Sequence, residues 1–123
     1  MEQYKIVNAY AITDSLSNSK DLTIAAKWAL YSLRKDLSPH NSFYTEESRK
    51  LIEKYNGCYI TEANTIRFED NEKATEFRKE YNALDNFDVD LDIKKYTLKL
   101  SDIPDITIKQ IETLENFIEF IPE

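Results

Sequence analysis

One cysteine, one histidine, one glycine and three prolines stand in this 123-residue chain, and each scarcity removes a class of protein. A single Cys excludes an intramolecular disulfide framework and a Cys-rich zinc site. A single Gly cannot build a glycine-rich phosphate loop, so nucleotide-dependent chemistry is not expected. So few Gly and Pro also argue against a loop-rich sandwich. No apolar run approaches the roughly 18 residues of a membrane span, and the opening MEQYK lacks the pattern of a secretory signal. Positive charge is short as well: 16 Lys and Arg against 23 Asp and Glu leave a net charge of −7. Phosphate contacts need clustered Lys and Arg, so neither direct nucleic-acid binding nor attachment to an anionic membrane is expected.

Apolar and aromatic residues are plentiful. Hydrophobic types make up 41% of the chain, with 8 Tyr, 6 Phe and 1 Trp, too rich for a disordered segment. The length suits one core, and no linker, repeat or low-complexity tract divides it. The expectation is a single soluble, acidic, intracellular domain over residues 1–123.

Tyr4, Val7, Tyr10 and Ala11 recur at helical spacing, with Ile6 beside them, and predict a short helix over about 3–14. Residues 15–21 (SLSNSKD) read as a connection between helices, with Asp21 as the next N-cap. Ala26, Leu30, Leu33 and Leu37 then step by four, three and four, the buried stripe of an amphipathic helix. Ser38-Pro39 interrupts it. A proline inside a helix removes a hydrogen bond, yet it is a favourable first residue after a Ser cap. The stripe resumes in phase at His40, Tyr44, Leu51 and Tyr55, so about 22–55 is either one kinked helix or two nearly in line. Asn56-Gly57 closes it, Gly tolerating the left-handed conformation common there.

Residues 58–61 and 65–68 predict a small hairpin. Asp70 or Asn71 caps a helix through Leu84, with Ala74, Phe77, Tyr81 and Leu84 on one face. Phe87, Val89, Leu91 and Ile93 then alternate with Asp88, Asp90 and Asp92, as in a strand with one solvated face. Tyr96, Leu98 and Leu100 form a second short run. Thr107 and Gln110 have capping-box spacing for a last helix over about 108–120, striped by Ile111, Leu114, Ile118 and Ile121. The fold class is α+β, mainly helical: a long kinked or broken central helix packed with two or three shorter helices and a small β element.

The chemistry-bearing residues point away from catalysis. His40 lies on the stripe beside Pro39, where a packed structural role is expected. Cys58 is separated from it by a helix some 17 residues long, roughly 25 Å, so a nucleophile pair is not expected and Cys58 reads as a small hydrophobe. Asp88, Asp90 and Asp92 open like an EF-hand loop, but the glycine position is Ile93 and the twelfth is Lys99, so the motif fails. A solvated strand face explains the alternation, and a row of carboxylates about 6.6 Å apart would also mimic a nucleic-acid backbone. Glu46 with Glu47, and Glu76 with Glu80, sit among Arg and Lys partners of a solvated helix face. No catalytic residue, cofactor or metal ligand is expected. Trp28, with Ile24 and Tyr31, lies off the main stripe. Either another element covers this second apolar face, or it is an interaction patch, since Trp and Tyr dominate binding hot spots.

Taken in order, VNAYAITDSL, DLTIAAKWALYSLRKDL, EESRKLIEKYNG, TEFRKEYNALDNFDVDLDI and IKQIETLENFIEF resemble a group of small uncharacterised phage and prophage proteins of low-GC Gram-positive bacteria. The resemblance runs from Val7 to Phe120 and departs at Ser38-Pro39, since the long helix of that group runs uninterrupted. It implies no catalytic residues. It implies instead a phage-borne accessory protein that binds a phage-encoded or host protein as a minor virion or assembly component, located in the host cytoplasm or the virion. The alternative is an acidic inhibitor of a host nucleic-acid-binding defence protein. The candidate partner-binding residues are Trp28, Tyr31, Asp88, Asp90 and Asp92, and a homo-oligomer is compatible with both readings.

Overall fold

In a computed structural model, which describes residues 1–60, 62–92 and 94–122, the chain begins with α1 (Gln3–Leu16) and α2 (Ile24–Lys54). The hairpin strands β1 (Cys58–Ile60) and β2 (Thr65–Arg67) follow, then α3 (Asn71–Asp85), β3 (Tyr96–Lys99), α4 (Ile108–Leu114) and β4 (Ile118–Ile121). The fold is α+β and mainly helical, with α2 as its spine.

α2 is one helix of 31 residues that carries Pro39 inside it. The Ser38-Pro39 step therefore starts no new helix. Proline deprives the Lys35 carbonyl of its usual donor, and both residues lie on the exposed side of the helix, where water can replace the missing N–H. The predicted stripe is correct: Ala26, Leu30, Leu33 and Leu37 are buried, and Ala29 with them. The cap differs. Thr23 caps the helix, its Oγ1 accepting from Ala26 N at 3.1 Å, while Asp21 takes φ 63° in the preceding turn. At the far end Asn56, not Gly57, adopts the left-handed conformation (φ 54°). Gly57 is needed for room instead: a Cβ there would stand 2.8 Å from Ile66 Cγ2.

α1 packs along the first half of α2, but on a different face from the one its large residues suggested. Gln3, Ile6, Ala9, Thr13 and Leu16 are buried, whereas Tyr4 and Ala11 are exposed. Two polar residues on the buried face blurred the periodicity. Thr13 satisfies its hydroxyl by donating to the Ala9 carbonyl at 2.7 Å, a local bond open to Thr in a helix.

The hairpin and α3 follow expectation. β1 and β2 pair antiparallel, Thr61 lying outside the described residues. Asp70 caps α3 through Lys73 N at 2.8 Å, and Ala74 and Phe77 turn inward. Two expectations fail after α3. Residues 87–92 form no strand; the segment makes a single bridge, Asp88 with Glu2, and Ile93 lies outside the described residues. The last helix ends at Leu114, and residues 118–121 form β4, parallel to β3 with Tyr96 opposite Ile118 and Lys99 opposite Ile121. The Ile-Glu-Phe-Ile run suits a pleated strand as well as a helix stripe, and β3 offers the edge that decides it. The capping box itself is present: Thr107 Oγ1 accepts from Gln110 N at 3.2 Å and Gln110 Oε1 accepts from Thr107 N at 2.9 Å.

The core lies between α1, the first half of α2, and the β3–α4–β4 unit, and includes Ile6, Leu33, Leu98, Ile103, Leu114 and Ile118. Asp102 fastens the two sides. Its carboxylate accepts from Thr23 Oγ1 at 2.8 Å and from Lys99 N at 2.8 Å.

Candidate functional site

The side of α2 opposite its buried stripe is uncovered. Ile24 is 78% exposed, Trp28 66% and Tyr31 55%. Their spacing of four and three places them in one row along the helix. The Trp28 and Tyr31 rings touch with centroids 5.9 Å apart and planes tilted by 32°. No described element covers this face. Lys35 continues the row one turn on, and Lys27 and Arg34 flank it. Arg34 is held by Asp14 at 3.0 Å.

Further along, where the N-terminus of α1 and the end of α3 meet the middle of α2, lies a second feature that the sequence reading missed. It is an apolar cleft of about 370 Å³ lined by Gln3, His40, Phe43, Ala83, Leu84, Phe87 and Val89. The lining comes from three separate stretches of chain, and no periodicity joins them. The one signal was the surplus of large apolar side chains around residues 84–89.

Of the acidic residues, Asp88 lies between two residues that line this cleft, Phe87 and Val89. Asp88 accepts from the Met1 amino group at 2.6 Å while its side chain stays 87% exposed. Asp90 and Asp92 are exposed. Because residues 87–92 are not a strand, the regular row of carboxylates is absent. Among the described residues no group of three or more His, Cys, Asp or Glu is arranged to hold a metal ion.

His40 is half-buried at the cleft, its carbonyl accepting from Gln3 Nε2 at 3.4 Å. Cys58 is exposed at the start of β1. The unbroken helix from His40 to Lys54 alone spans about 21 Å, so the two side chains do not meet. Glu46 bonds Arg49, and Glu80 bonds Lys54 from α3 at 2.9 Å, which hold both carboxyls below their ordinary range. These are surface pairs.

Beside the cleft, Tyr44 donates to Asp85 Oδ1 at 2.6 Å; with its one proton so used, it receives that of Tyr81 at 2.9 Å. Burial first, then the bond donated to Asp85, push the Tyr44 hydroxyl far above its ordinary value, so it stays protonated. The cluster fastens α2 to α3.

Compared with family models, with curated proteins and with solved structures, the chain finds no match in any of the three. No helix among the described residues is long and apolar enough to cross a membrane. The surfaces themselves therefore carry the functional argument.

Proposed function

We propose that this is a non-enzymatic accessory protein that works by binding another protein through the open face of α2. The observation that carries the reading is the row Ile24, Trp28 and Tyr31, all more than half exposed on a helix whose other side is firmly packed. Large rings held on a rigid helix lose little entropy on binding, which is why they anchor interfaces. Together with the resemblance to small phage and prophage proteins, this supports a minor virion or assembly component in the host cytoplasm or the virion. No cofactor and no direct nucleic-acid contact enter this reading.

The test is capture of the partner by the wild-type protein and by Trp28→Ala and Tyr31→Ala, at low and high salt. Loss of capture in both variants, with wild-type capture surviving high salt, is expected of an apolar interface. Exposed Trp28 contributes little to folding, so Trp28→Ala should change stability by less than about 0.5 kcal/mol.

A second reading rests on Asp90 and Asp92, whose exposed carboxylates are available to a basic groove. It makes the protein an acidic inhibitor of a host nucleic-acid-binding defence protein. It predicts capture of a basic protein that is lost as salt rises and lost on replacing Asp88, Asp90 and Asp92 by Asn. Unchanged capture by that triple variant rejects it.

A further inference from the structure

The groove between α1 and α2, on the flank of the exposed row, differs in charge from the chain as a whole. It runs through two hollows that share Tyr31 and Arg34. One, of about 190 Å³, is bordered by Ser17, Leu22 and Lys27. The other, of about 520 Å³, is bordered by Tyr10, Lys35, Ser38 and Pro39. Among the described residues no acid lines either hollow. Asp14 holds Arg34 at 3.0 Å, so that pair is neutral. Asp36 accepts from the Tyr96 hydroxyl at 3.2 Å, on the side of α2 that meets β3. Lys20 and Asp21 stand side by side in the turn before the helix. Lys27 and Lys35 make no ion pair among the described residues. A chain of net charge −7 thus keeps two uncompensated cations along one groove, where low-dielectric walls concentrate their field.

The backbone adds an acceptor. Pro39 has no N–H, so the Lys35 carbonyl lacks its usual donor, and both residues border the larger hollow. A ligand that answers all of this carries carboxylates, an apolar surface for Tyr31 and a free N–H. A helix spends its N–H groups on its own carbonyls, whereas an extended peptide keeps them available. Spacing agrees: Lys27 and Lys35 are about 12 Å apart along the helix, and the first and fifth residues of an extended chain, which share a face, are about 13 Å apart. We infer that this groove takes an extended acidic segment of the partner protein. Its first and fifth residues set carboxylates on Lys27 and Lys35, its third lays an apolar side chain against Tyr31, and its backbone gives an N–H to the Lys35 carbonyl. This rests on the protein-binding reading above and names the partner's chemistry at the same face of α2. The charges add to the apolar row, so salt weakens capture without abolishing it.

NMR titration of the full chain with the capped synthetic peptide Ser-Glu-Ser-Leu-Ser-Glu-Ser tests this. A twin peptide with Gln for Glu and a single-stranded thymidine oligonucleotide are run beside it. The Glu peptide should move the amide signals of Ser17, Lys27, Tyr31, Lys35 and Ser38, and the twin should bind about fivefold more weakly. Combining Lys27→Gln with Lys35→Gln, both exposed positions, should weaken the Glu peptide about fivefold. Pro39→Ala, which returns an N–H to the Lys35 carbonyl, should weaken it about threefold. The inference is overturned if the Glu peptide leaves those signals unmoved, if the twin binds equally, or if either variant binds as the wild type does. It is overturned too if the oligonucleotide is preferred, or if the same signals shift with protein concentration alone, which would give the groove to a second copy. Each of these outcomes leaves the broader reading standing where Trp28→Ala still abolishes capture of the partner protein.

Discussion

From Ile24 to Leu37, α2 buries Ala26, Ala29, Leu30, Leu33 and Leu37 against α1 and the β3–α4–β4 unit. From His40 to Lys54 none of its residues is fully buried. This half is held to α3 by the Tyr44–Tyr81–Asp85 bonds, by Lys54 on Glu80, and by partly buried rings such as Tyr55 against Phe77. One continuous helix is thus fastened by close packing at one end and by polar and aromatic contacts at the other. Close packing on one side leaves the opposite side free to carry Trp28 and Tyr31 without cost to the core. The looser half meets α3 imperfectly, and the cleft lies where the two regimes meet.

The largest test of this contrast is a pair of truncations. Leu33→Ala should lower the unfolding free energy by about 2–5 kcal/mol and Leu51→Ala by about 1–2 kcal/mol, read from urea denaturation. Equal losses would mean that the two halves are packed alike. Pro39→Ala, at the junction, restores an N–H within the helix. The intrinsic penalty of an interior proline, partly offset by a freer unfolded chain, puts the gain at about 2 kcal/mol. A loss instead would show that the proline shapes the junction rather than merely being tolerated there.

Smaller still is Tyr44→Phe, which deprives Asp85 of its donor and should cost about 1–2 kcal/mol. Hydrogen exchange should quicken in residues 40–54 and in α3, with the first half of α2 unchanged.

Acid and alkali should separate the two halves by the least amount. The backbone amide of Lys99, then Thr23, hold the Asp102 carboxyl below its ordinary value. Its stabilisation is present above about pH 4 and is lost as pH falls through the lowered folded value. The Tyr44 hydroxyl is raised, so its stabilisation is present below about pH 10 and fades as pH rises beyond that. Acid should therefore loosen both the Asp102 junction and the Lys54–Glu80 pair, whose carboxyl is lowered too, while alkali should act most at the Tyr44 contact between α2 and α3, whose hydroxyl is raised furthest. Residue-resolved hydrogen exchange across pH reads both effects.

Much of the helical framework was legible because local rules and tertiary packing agree there. The Ala26–Leu30–Leu33–Leu37 stripe, the Asp70 cap and the Thr107–Gln110 box each link residues no more than one turn from the next. The aromatic row at Trp28 was legible for the same reason, as a second face on a regular helix. What failed depends on distant partners. Residues 118–121 carry a helix stripe and a strand composition at once, and the edge of β3, some twenty residues earlier in the chain, selects the strand. Residues 87–92 alternate like a strand but find no continuous edge to pair with, so their carboxylates form no regular row.

Sequence alone determined that this chain builds a long amphipathic helix with rings on its outer face, because helix periodicity and residue type are local properties. Tertiary structure decided whether those rings were covered, which strand closed the core, and that Gln3, Phe43 and Phe87 share a cleft. Those outcomes turn on which surfaces compete for burial, and that competition is settled only when the whole chain has packed.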